Sequence, residues 1–362
     1  MPNKNLDALC INTVRMLAVD AVEKATCGHP GMPMEAAPLA HLLWTKHLKY
    51  NPKNPDWPDR DRFVLSAGHG SMLLYSMLHL SGYDLPLDEI KNFRQWESLT
   101  PGHPEYGLTP GVETTTGPLG QGIATAVGMA MAESHLAARF NSSDHEIVDH
   151  HTYVLASDGD LMEGVASESC SMAGHLGLGK LIVFYMDNQI TIEGSTALSF
   201  TENVGLRFDA YGWHVQRVMD GNDLGSLDAA VNTAKNVTDR PSLVICRTTI
   251  GFGSPNKAGT SKIHGEKLGA DEVALTKQNL GWPEEPAFYV PDEVRERYNE
   301  TVSRGAELES RWQQTYDAYA AAHPDLAAQW QLGLDRVLPD GWDQNLPAFT
   351  PDDGDVATRS AS

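Results

Sequence analysis

Residues 152–188 of the chain read TYVLASDGDLMEGVASESCSMAGHLGLGKLIVFYMDN. Two almost continuously apolar runs, Thr152–Ala156 and Leu181–Met186, enclose a stretch in which apolar residues recur at helical spacing, Met162–Leu176. Strands that are apolar at nearly every position are typical of a parallel sheet covered on both faces. This part of the chain therefore predicts a strand–helix–strand unit of an α/β protein.

The same alternation continues on both sides of this unit. Further strands are predicted at Phe63–Ser66, His214–Val218 and Ser242–Thr248. Further helices are predicted at Leu6–Thr26, His69–Leu80, Gln121–Arg139 and Leu224–Val237, and the least polar stretch, Leu119–Ala138, is expected to be a buried helix. The pattern predicts a doubly wound, mostly parallel sheet flanked by helices, in which ligands bind outside the carboxyl ends of the strands.

The character of the chain changes after about Pro283. Arg295–Tyr319 is a charged stretch with helical spacing, and residues 346–362, LPAFTPDDGDVATRSAS, have the composition of a linker. We assign residues 1–335 to one domain and residues 336–362 to a linker. The charged helical stretch and this linker are expected to form a C-terminal extension of the α/β fold. A linker is expected to lead to a second domain outside this chain.

The net charge of the chain limits which ligands and partners are expected. The chain has 27 Lys and Arg against 48 Asp and Glu, a net charge of −21, which disfavours nucleic acid and anionic membranes as partners. An anionic ligand would need a local positive potential from helix N-termini, a metal ion or a few basic side chains.

Features of cellular location are few. No run of 18 apolar residues and no apolar signal-peptide region occurs, so we expect a cytoplasmic protein. Cys10, Cys27, Cys170 and Cys246 form neither a CxxC pair nor a zinc-like cluster, and we expect buried thiols in a reducing compartment.

The most specific chemical feature follows two predicted strands. Asp158 comes directly after one strand, and Asn188 follows the other, 30 residues later. If the strand ends are neighbours, a carboxylate, an amide oxygen and a nearby carbonyl could hold Mg²⁺, while Gly159 lets backbone approach a phosphate. The alternative is two ordinary strand-end turns, because Asp-Gly and Asp-Asn are common turn pairs.

Four histidines lie in Gly- or Pro-rich contexts that we place in ligand-side loops: His29, His69, His103 and His264. Imidazoles can bind sugar hydroxyls, a carbonyl or a diphosphate, and can move protons near neutral pH. A Gly/Thr-rich loop, residues 111–122, opens a predicted helix and suits a phosphate, although it is not a P-loop.

Taken in order, these features resemble one enzyme family. DGDLMEG followed by DNQITIEG resembles the signature of thiamine diphosphate enzymes, with Ser157 in place of its first Gly. The chain is similar to transketolases in DRFVLSAGHGSMLLYSMLHL (61–80), TPGHPE (100–105), GVETTTGPLGQGI (111–123) and GFGSPNKAGTSKIHG (251–265). Small departures are Glu35, where a small residue is usual, and Ala67, where Asn is frequent.

The resemblance implies a transketolase of the pentose phosphate pathway and Calvin cycle. Such enzymes use thiamine diphosphate and Mg²⁺, or another divalent cation such as Ca²⁺ or Mn²⁺, to move a two-carbon ketol unit from a ketose phosphate to an aldose phosphate. The implied partners are xylulose 5-phosphate, ribose 5-phosphate, sedoheptulose 7-phosphate, glyceraldehyde 3-phosphate, erythrose 4-phosphate and fructose 6-phosphate.

The resemblance also implies residue roles. The metal ligands would be Asp158, Asn188 and the carbonyl of Ile190. The cofactor-binding residues would be His69, Gly117, Pro118, Leu119, Gly159, Asn188 and His264. The catalytic residues would be His29, His103 and His264, and the substrate would be bound by His29, His264 and Arg359.

The family places a further essential glutamate in its second domain and builds the site between subunits. We therefore expect a homodimer, or a separate second-domain polypeptide, and this chain alone to be incomplete. Glu163 and Glu168 match positions typical of subunit-interface carboxylates. The alternatives are a dihydroxyacetone synthase, a phosphoketolase, a 2-oxoacid dehydrogenase, or a non-catalytic half that only binds.

Overall fold

A central parallel sheet organises the first part of the molecule. The structure, a computed structural model, describes residues 4–361 and divides into two units, of which the first ends at Thr315 and the second begins at Tyr316. Strands and helices are numbered in chain order. The strands are β1 Arg62–Leu65, β2 Thr152–Ser157, β3 Leu181–Asp187, β4 Ile190–Thr191, β5 Gly194–Ser195, β6 His214–Val218 and β7 Ser242–Arg247.

Five of these strands pair in the order β1-β2-β3-β7-β6, every pair parallel, while β4 and β5 form a short antiparallel hairpin. The helices of the first unit are α1 Lys4–Ala25, α2 Gly31–Leu42, α3 Ser71–Leu80, α4 Leu87–Lys91, α5 Gln121–Phe140, α6 Asp158–Met162, α7 Gly164–His175, α8 Val204–Ala210, α9 Leu224–Asn236 and α10 Ala270–Asn279. α11, Asp292–Ala322, runs across the boundary, and the second unit contains α12 Pro324–Leu334 and α13 Thr358–Ala361.

The two faces of the sheet bury separate apolar clusters. On β3, Phe184 belongs to the cluster under α1, α2 and α3, whereas Val183 and Tyr185 belong to the cluster under α5 and α7. Because successive side chains of a strand point to opposite faces, a strand covered on both sides must be apolar throughout. The predicted doubly wound parallel sheet is confirmed.

One helix of the structure is not predicted from the sequence, and one expectation about a helix is wrong. The sequence does not predict α2, because Pro33 and Pro38 are typical of loops; all 12 residues of this helix are buried, and this burial outweighs low helix propensity. The stretch Leu119–Ala138 is not buried throughout, since α5 buries one face and exposes positions such as Met131.

Two other expectations have different outcomes. Cys10, Cys170 and Cys246 are buried, but Cys27 is exposed because it lies in the turn after α1. Within residues 4–361 no helix has both the length and the apolar composition needed to cross a bilayer. The domain boundary at 335/336 and the cytoplasmic location stay predictions.

Parallel pairing brings the chemically interesting residues to one edge. Ser157 at the end of β2 pairs with Met186 of β3, which in turn pairs with Cys246 of β7. The segments that continue from these strands, beginning at Asp158, Asn188 and Thr248, therefore leave the sheet side by side.

Candidate functional site

A cavity of about 350 Å³ opens where these segments leave the sheet. Its lining combines imidazoles, apolar side chains and backbone of glycine-rich loops. The lining residues are His29, Met32, His69, His103, Gly117, Leu119, Ser157, Gly159, Met162, Glu163, Asn188, Ile190, Thr191, Ile192, Ile250 and His264. Among these described residues there is no Lys or Arg, so the lining has no permanently cationic side chain.

The predicted histidines converge in this cavity. The ring centroids of His29 and His69 lie 5.1 Å apart, those of His29 and His264 5.7 Å, and those of His69 and His264 5.2 Å with nearly parallel planes. His103 lines the same cavity from an exposed position. Four loops that are far apart in sequence thus present imidazoles to one space.

Burial keeps these imidazoles neutral. Loss of solvation lowers the pKa of His29 to about 4, with a smaller contribution from His264, and it lowers the pKa of His69 well below its usual value. Burial also lowers the pKa of His103 and of His264. The Nδ1 atoms of His29 and His264 are buried with no hydrogen-bond partner in the described protein, so each is available to a ligand.

Close backbone approach explains the predicted glycines. Gly117 has a φ of +152°, which side chains rarely adopt, and a Cβ on it would meet the His103 ring at 3.4 Å. A Cβ on Gly159 would lie 2.9 Å from Leu119 Cδ1. Both positions leave backbone bare at the cavity wall, which suits a diphosphate. Pro118 belongs to the same loop but is not among the lining residues.

Asp160 fastens three of the cavity's loops together. Its fully buried carboxylate accepts hydrogen bonds from Ser66 Oγ at 2.7 Å, from Gly120 N at 2.9 Å, and from both Ser157 N and Ser157 Oγ at 2.9 Å. Ser66 precedes the His69 turn and Gly120 ends the Gly117–Leu119 loop. The turn that follows β2 and contains Gly159 is therefore held to two other loops that line the cavity.

Two of the predicted metal ligands, Asn188 and Ile190, share a hydrogen bond, and the third, Asp158, is hydrogen-bonded to the residue between them. Asn188 and Ile190 line the cavity, and Asn188 Oδ1 accepts a hydrogen bond of 2.8 Å from Ile190 N. Asp158 is 2% exposed and accepts hydrogen bonds from Tyr185 Oη at 2.5 Å and Gln189 N at 3.2 Å. Burial raises the pKa of Asp158 to about 6.

Asp158 also lines a second cavity of about 350 Å³, together with Tyr185, Asp187 and Gln189, and does not line the histidine cavity. A compact group of three or more His, Cys, Asp or Glu side chains suited to a metal is not found within residues 4–361. The predicted set has a single carboxylate beside an amide and a backbone oxygen, which are ligands that a hard cation accepts.

The sequence does not single out two groups near the cavity as functional. Arg94 lies close enough to lower the pKa of His29 and His103, and its only signal is the neighbouring Gly102-His103 motif. Glu35 is buried on α2 and accepts a hydrogen bond from Asn188. Its only signal is the departure from the usual small residue.

The three remaining predicted residues are exposed at the surface. Glu163 lines the cavity and Glu168 lies on α7, both exposed. Arg359 is exposed in α13 of the second unit.

Comparison with known proteins identifies the family of the chain. Residues 6–339 match the family model described as "Transketolase, thiamine diphosphate binding domain". The chain is 57% identical over 360 residues to a transketolase of Halalkalibacterium halodurans, covering 99% of this chain and 54% of that protein. It is 56% identical over 354 residues to the chloroplastic transketolase of Spinacia oleracea, covering 97% and 48%.

Solved structures give the same result. A Pichia stipitis transketolase in complex with sedoheptulose-7-phosphate superposes with a TM-score of 0.94 at 50% identity, over 98% of this chain and 52% of that one. A transketolase from Leishmania mexicana gives 0.93 at 47% identity, over 95% and 51%. The chain thus spans about half the length of the curated relatives it matches.

Proposed function

The chain belongs to the transketolase family, and we propose that it supplies the magnesium- and diphosphate-binding half of a transketolase active site. The proposed reaction transfers a two-carbon ketol unit from a ketose phosphate to an aldose phosphate. The observation that carries the proposal is the convergence of four imidazoles, two glycine-bearing loops and the Asn188–Ile190 turn on one cavity. Thiamine diphosphate, when bound, supplies the carbon nucleophile that the side chains lack.

The chain's part in cofactor binding is electrostatic and positional. Asp158, Asn188 and the carbonyl of Ile190 would hold Mg²⁺, or Ca²⁺ or Mn²⁺, against the diphosphate. The lining has no Lys or Arg, so a divalent ion and backbone N–H groups would have to offset the phosphate charge. Two buried carboxyls near the Asn188 turn, Glu35 and Asp158, have raised pKa values, which is the environment a cation relieves.

The histidines are suited to the sugar. Neutral His29 and His264 each have a buried Nδ1 without a partner, which can exchange hydrogen bonds with a hydroxyl or carbonyl group of the donor. His103, exposed at the cavity, can take up or release a proton as the sugar bond is cleaved. His69 is assigned to the cofactor diphosphate.

Sugar phosphates are the proposed substrates. The Pichia stipitis structures include complexes with xylulose-5-phosphate, sedoheptulose-7-phosphate and fructose-6-phosphate. We extend this set to ribose 5-phosphate, glyceraldehyde 3-phosphate and erythrose 4-phosphate, and we assign the sugar phosphate group to Arg359, whose guanidinium fork suits a dianion.

A homodimer is proposed as the working assembly. The support is that Glu163 and Glu168 match positions typical of subunit-interface carboxylates and are both exposed, and that Glu163 lines the cavity. Light scattering or analytical ultracentrifugation at micromolar concentration should give twice the chain mass; a monomer would contradict this assembly for the chain by itself.

Reconstitution tests the function. The chain is assayed with thiamine diphosphate, Mg²⁺, xylulose 5-phosphate and ribose 5-phosphate, with and without a polypeptide covering the remaining part of the Halalkalibacterium halodurans relative. Turnover is expected only with the added polypeptide, and Asp158→Asn should abolish it. Turnover by the chain alone would show that it needs no complement. No turnover and no calorimetric heat with thiamine diphosphate would contradict the site itself.

A further inference from the structure

Glu35 is a buried carboxylate with an incomplete set of partners. It lies in the middle of α2 and is 2% exposed. Its Oε1 accepts a hydrogen bond of 2.7 Å from Asn188 Nδ2, while its Oε2 is buried without a well-formed hydrogen bond among the described residues and has the Thr248 hydroxyl beside it. A buried carboxylate whose only neighbouring donors are an amide and a hydroxyl costs stability, because its lost solvation is only partly replaced.

The packing of α2 gives no structural reason for this residue. Its neighbours on the helix, Met34 and Ala36, are fully buried apolar side chains. Within residues 4–361 no basic side chain forms an ion pair with Glu35. A residue that weakens the fold at a buried position is more easily explained by function.

The hydrogen bond to Asn188 sets which way that amide faces. Asn188 Oδ1 accepts from Ile190 N at 2.8 Å, and Nδ2 donates to Glu35. A reversed amide would bring its NH₂ group against the Ile190 N–H and its oxygen against a carboxylate. The pair of contacts therefore keeps the amide oxygen on the side of Ile190, whose carbonyl is the neighbouring proposed ligand.

We propose that Glu35 is a positioning residue that holds the Asn188 amide with its oxygen toward the divalent cation. This inference rests on the proposed function, since it presupposes a cation bound with the diphosphate. Outer groups that orient metal ligands typically change affinity about 10- to 100-fold when removed.

Two variants separate the hydrogen bond from simple packing. Glu35→Gln keeps an acceptor for Asn188, and its NH₂ group can donate to the Thr248 hydroxyl, which lies beside the carboxyl. Glu35→Leu removes the acceptor at similar volume. Glu133→Gln is the matched control, because Glu133 is also a buried glutamate, 4% exposed, but pairs with Lys180.

The probe is Mn²⁺ with saturating thiamine diphosphate, and the readout is free Mn²⁺ by electron paramagnetic resonance on the full chain. We expect Glu35→Leu to weaken Mn²⁺ binding about tenfold or more, Glu35→Gln to stay within about threefold of wild type, and Glu133→Gln to match wild type. The cation-free Glu35→Leu chain should melt at or above the wild-type temperature, because an unpaired buried carboxylate is gone.

If the wild-type chain binds Mn²⁺, three results would overturn this inference and leave the proposed function standing. The first is that Glu35→Leu binds Mn²⁺ as tightly as wild type, and the second is that Glu35→Gln binds it as weakly as Glu35→Leu. The third is that Glu35→Leu melts well below wild type or fails to fold. The second result would mean that Glu35 acts through charge, and the third that it is structural. A wild-type chain that binds no Mn²⁺ with thiamine diphosphate would overturn the proposed function and this inference together.

Discussion

At the scale of single residues, burial decides what the histidines can do. His29, His69 and His264 stand within 6 Å of one another, an arrangement that would be repulsive if all three rings were charged. Burial lowers the pKa of each, so near neutral pH they exchange hydrogen bonds instead of attracting phosphate as cations. Phosphate charge must then be offset elsewhere in the site.

A consequence is an acid-sensitive fold. The pKa of His29 is lowered to about 4, against about 6.5 for an unfolded histidine. Between these values the unfolded chain binds more protons, so the free energy of unfolding falls as the pH drops from 6.5 toward 4 and is fully retained above 6.5. In urea titrations of the cation-free chain across this range, His29→Asn should make the fall shallower by up to about one proton.

The control for this prediction is His175→Asn, on the exposed end of α7, which should keep the wild-type pH dependence. If His29→Asn and wild type lose stability in parallel over the whole range, His29 takes up its proton in the folded chain, and its neutral role at the site would be wrong.

At the scale of elements, the position of the site depends on how closely α7 packs against the backbone that follows α8. Gly174 in α7 packs against the backbone that leaves α8: a Cβ there would lie 1.9 Å from the carbonyl oxygen of Tyr211. Backbone cannot rotate away as a flexible side chain can. Because α7 comes directly after α6, Asp158–Met162, the position of α7 also determines where this wall of the cavity lies.

We therefore predict opposite effects for two helix glycines. Gly174→Ala should destabilise the fold by about 3 kcal/mol, since overpacking against backbone forces α7 to shift. Gly128→Ala on α5 should stabilise it by about 0.5–1 kcal/mol, because alanine is the better helix former and its Cβ would meet nothing within 4 Å. Urea unfolding monitored by circular dichroism measures both; equal effects would mean that α7 can move freely.

At the scale of the whole molecule, the net charge of −21 opposes an anionic cofactor. The long-range field repels a diphosphate, and the cavity lining offers no Lys or Arg to reverse it locally. A bound divalent ion would supply the strong positive charge that the lining residues lack.

Removal of the cation should accordingly remove the cofactor. We expect the affinity for thiamine diphosphate, measured by calorimetry, to fall at least about 100-fold after EDTA treatment, roughly 2.7 kcal/mol, and to return with Mg²⁺ or Mn²⁺. An EDTA-treated chain that binds with undiminished affinity would show that backbone and imidazole groups suffice, and the assignment of Asp158 and Asn188 to a metal would lose its basis.

Much of the architecture could be predicted from the sequence. Strands that are apolar at nearly every position predict a parallel sheet covered by helices on both faces. Val183 and Phe184 show why, because these neighbouring side chains are buried on opposite faces. The parallel direction of those strands brings their carboxyl ends to one edge. The four histidine motifs could be identified because Gly and Pro beside them are typical of loops.

Other features required the tertiary structure. α2 lacks the pattern of a surface helix, since every residue in it is buried and two are prolines, so local propensity misleads. The role of Glu35 depends on a contact with Asn188, 153 positions away in sequence. The neutrality of His29 depends on desolvation by groups from several loops. The sequence by itself therefore determined the sheet, its ligand-binding edge and the residue types gathered there. Only the tertiary structure decided which groups touch, which are buried and which are left without a partner, because these properties arise from contacts between segments far apart along the chain.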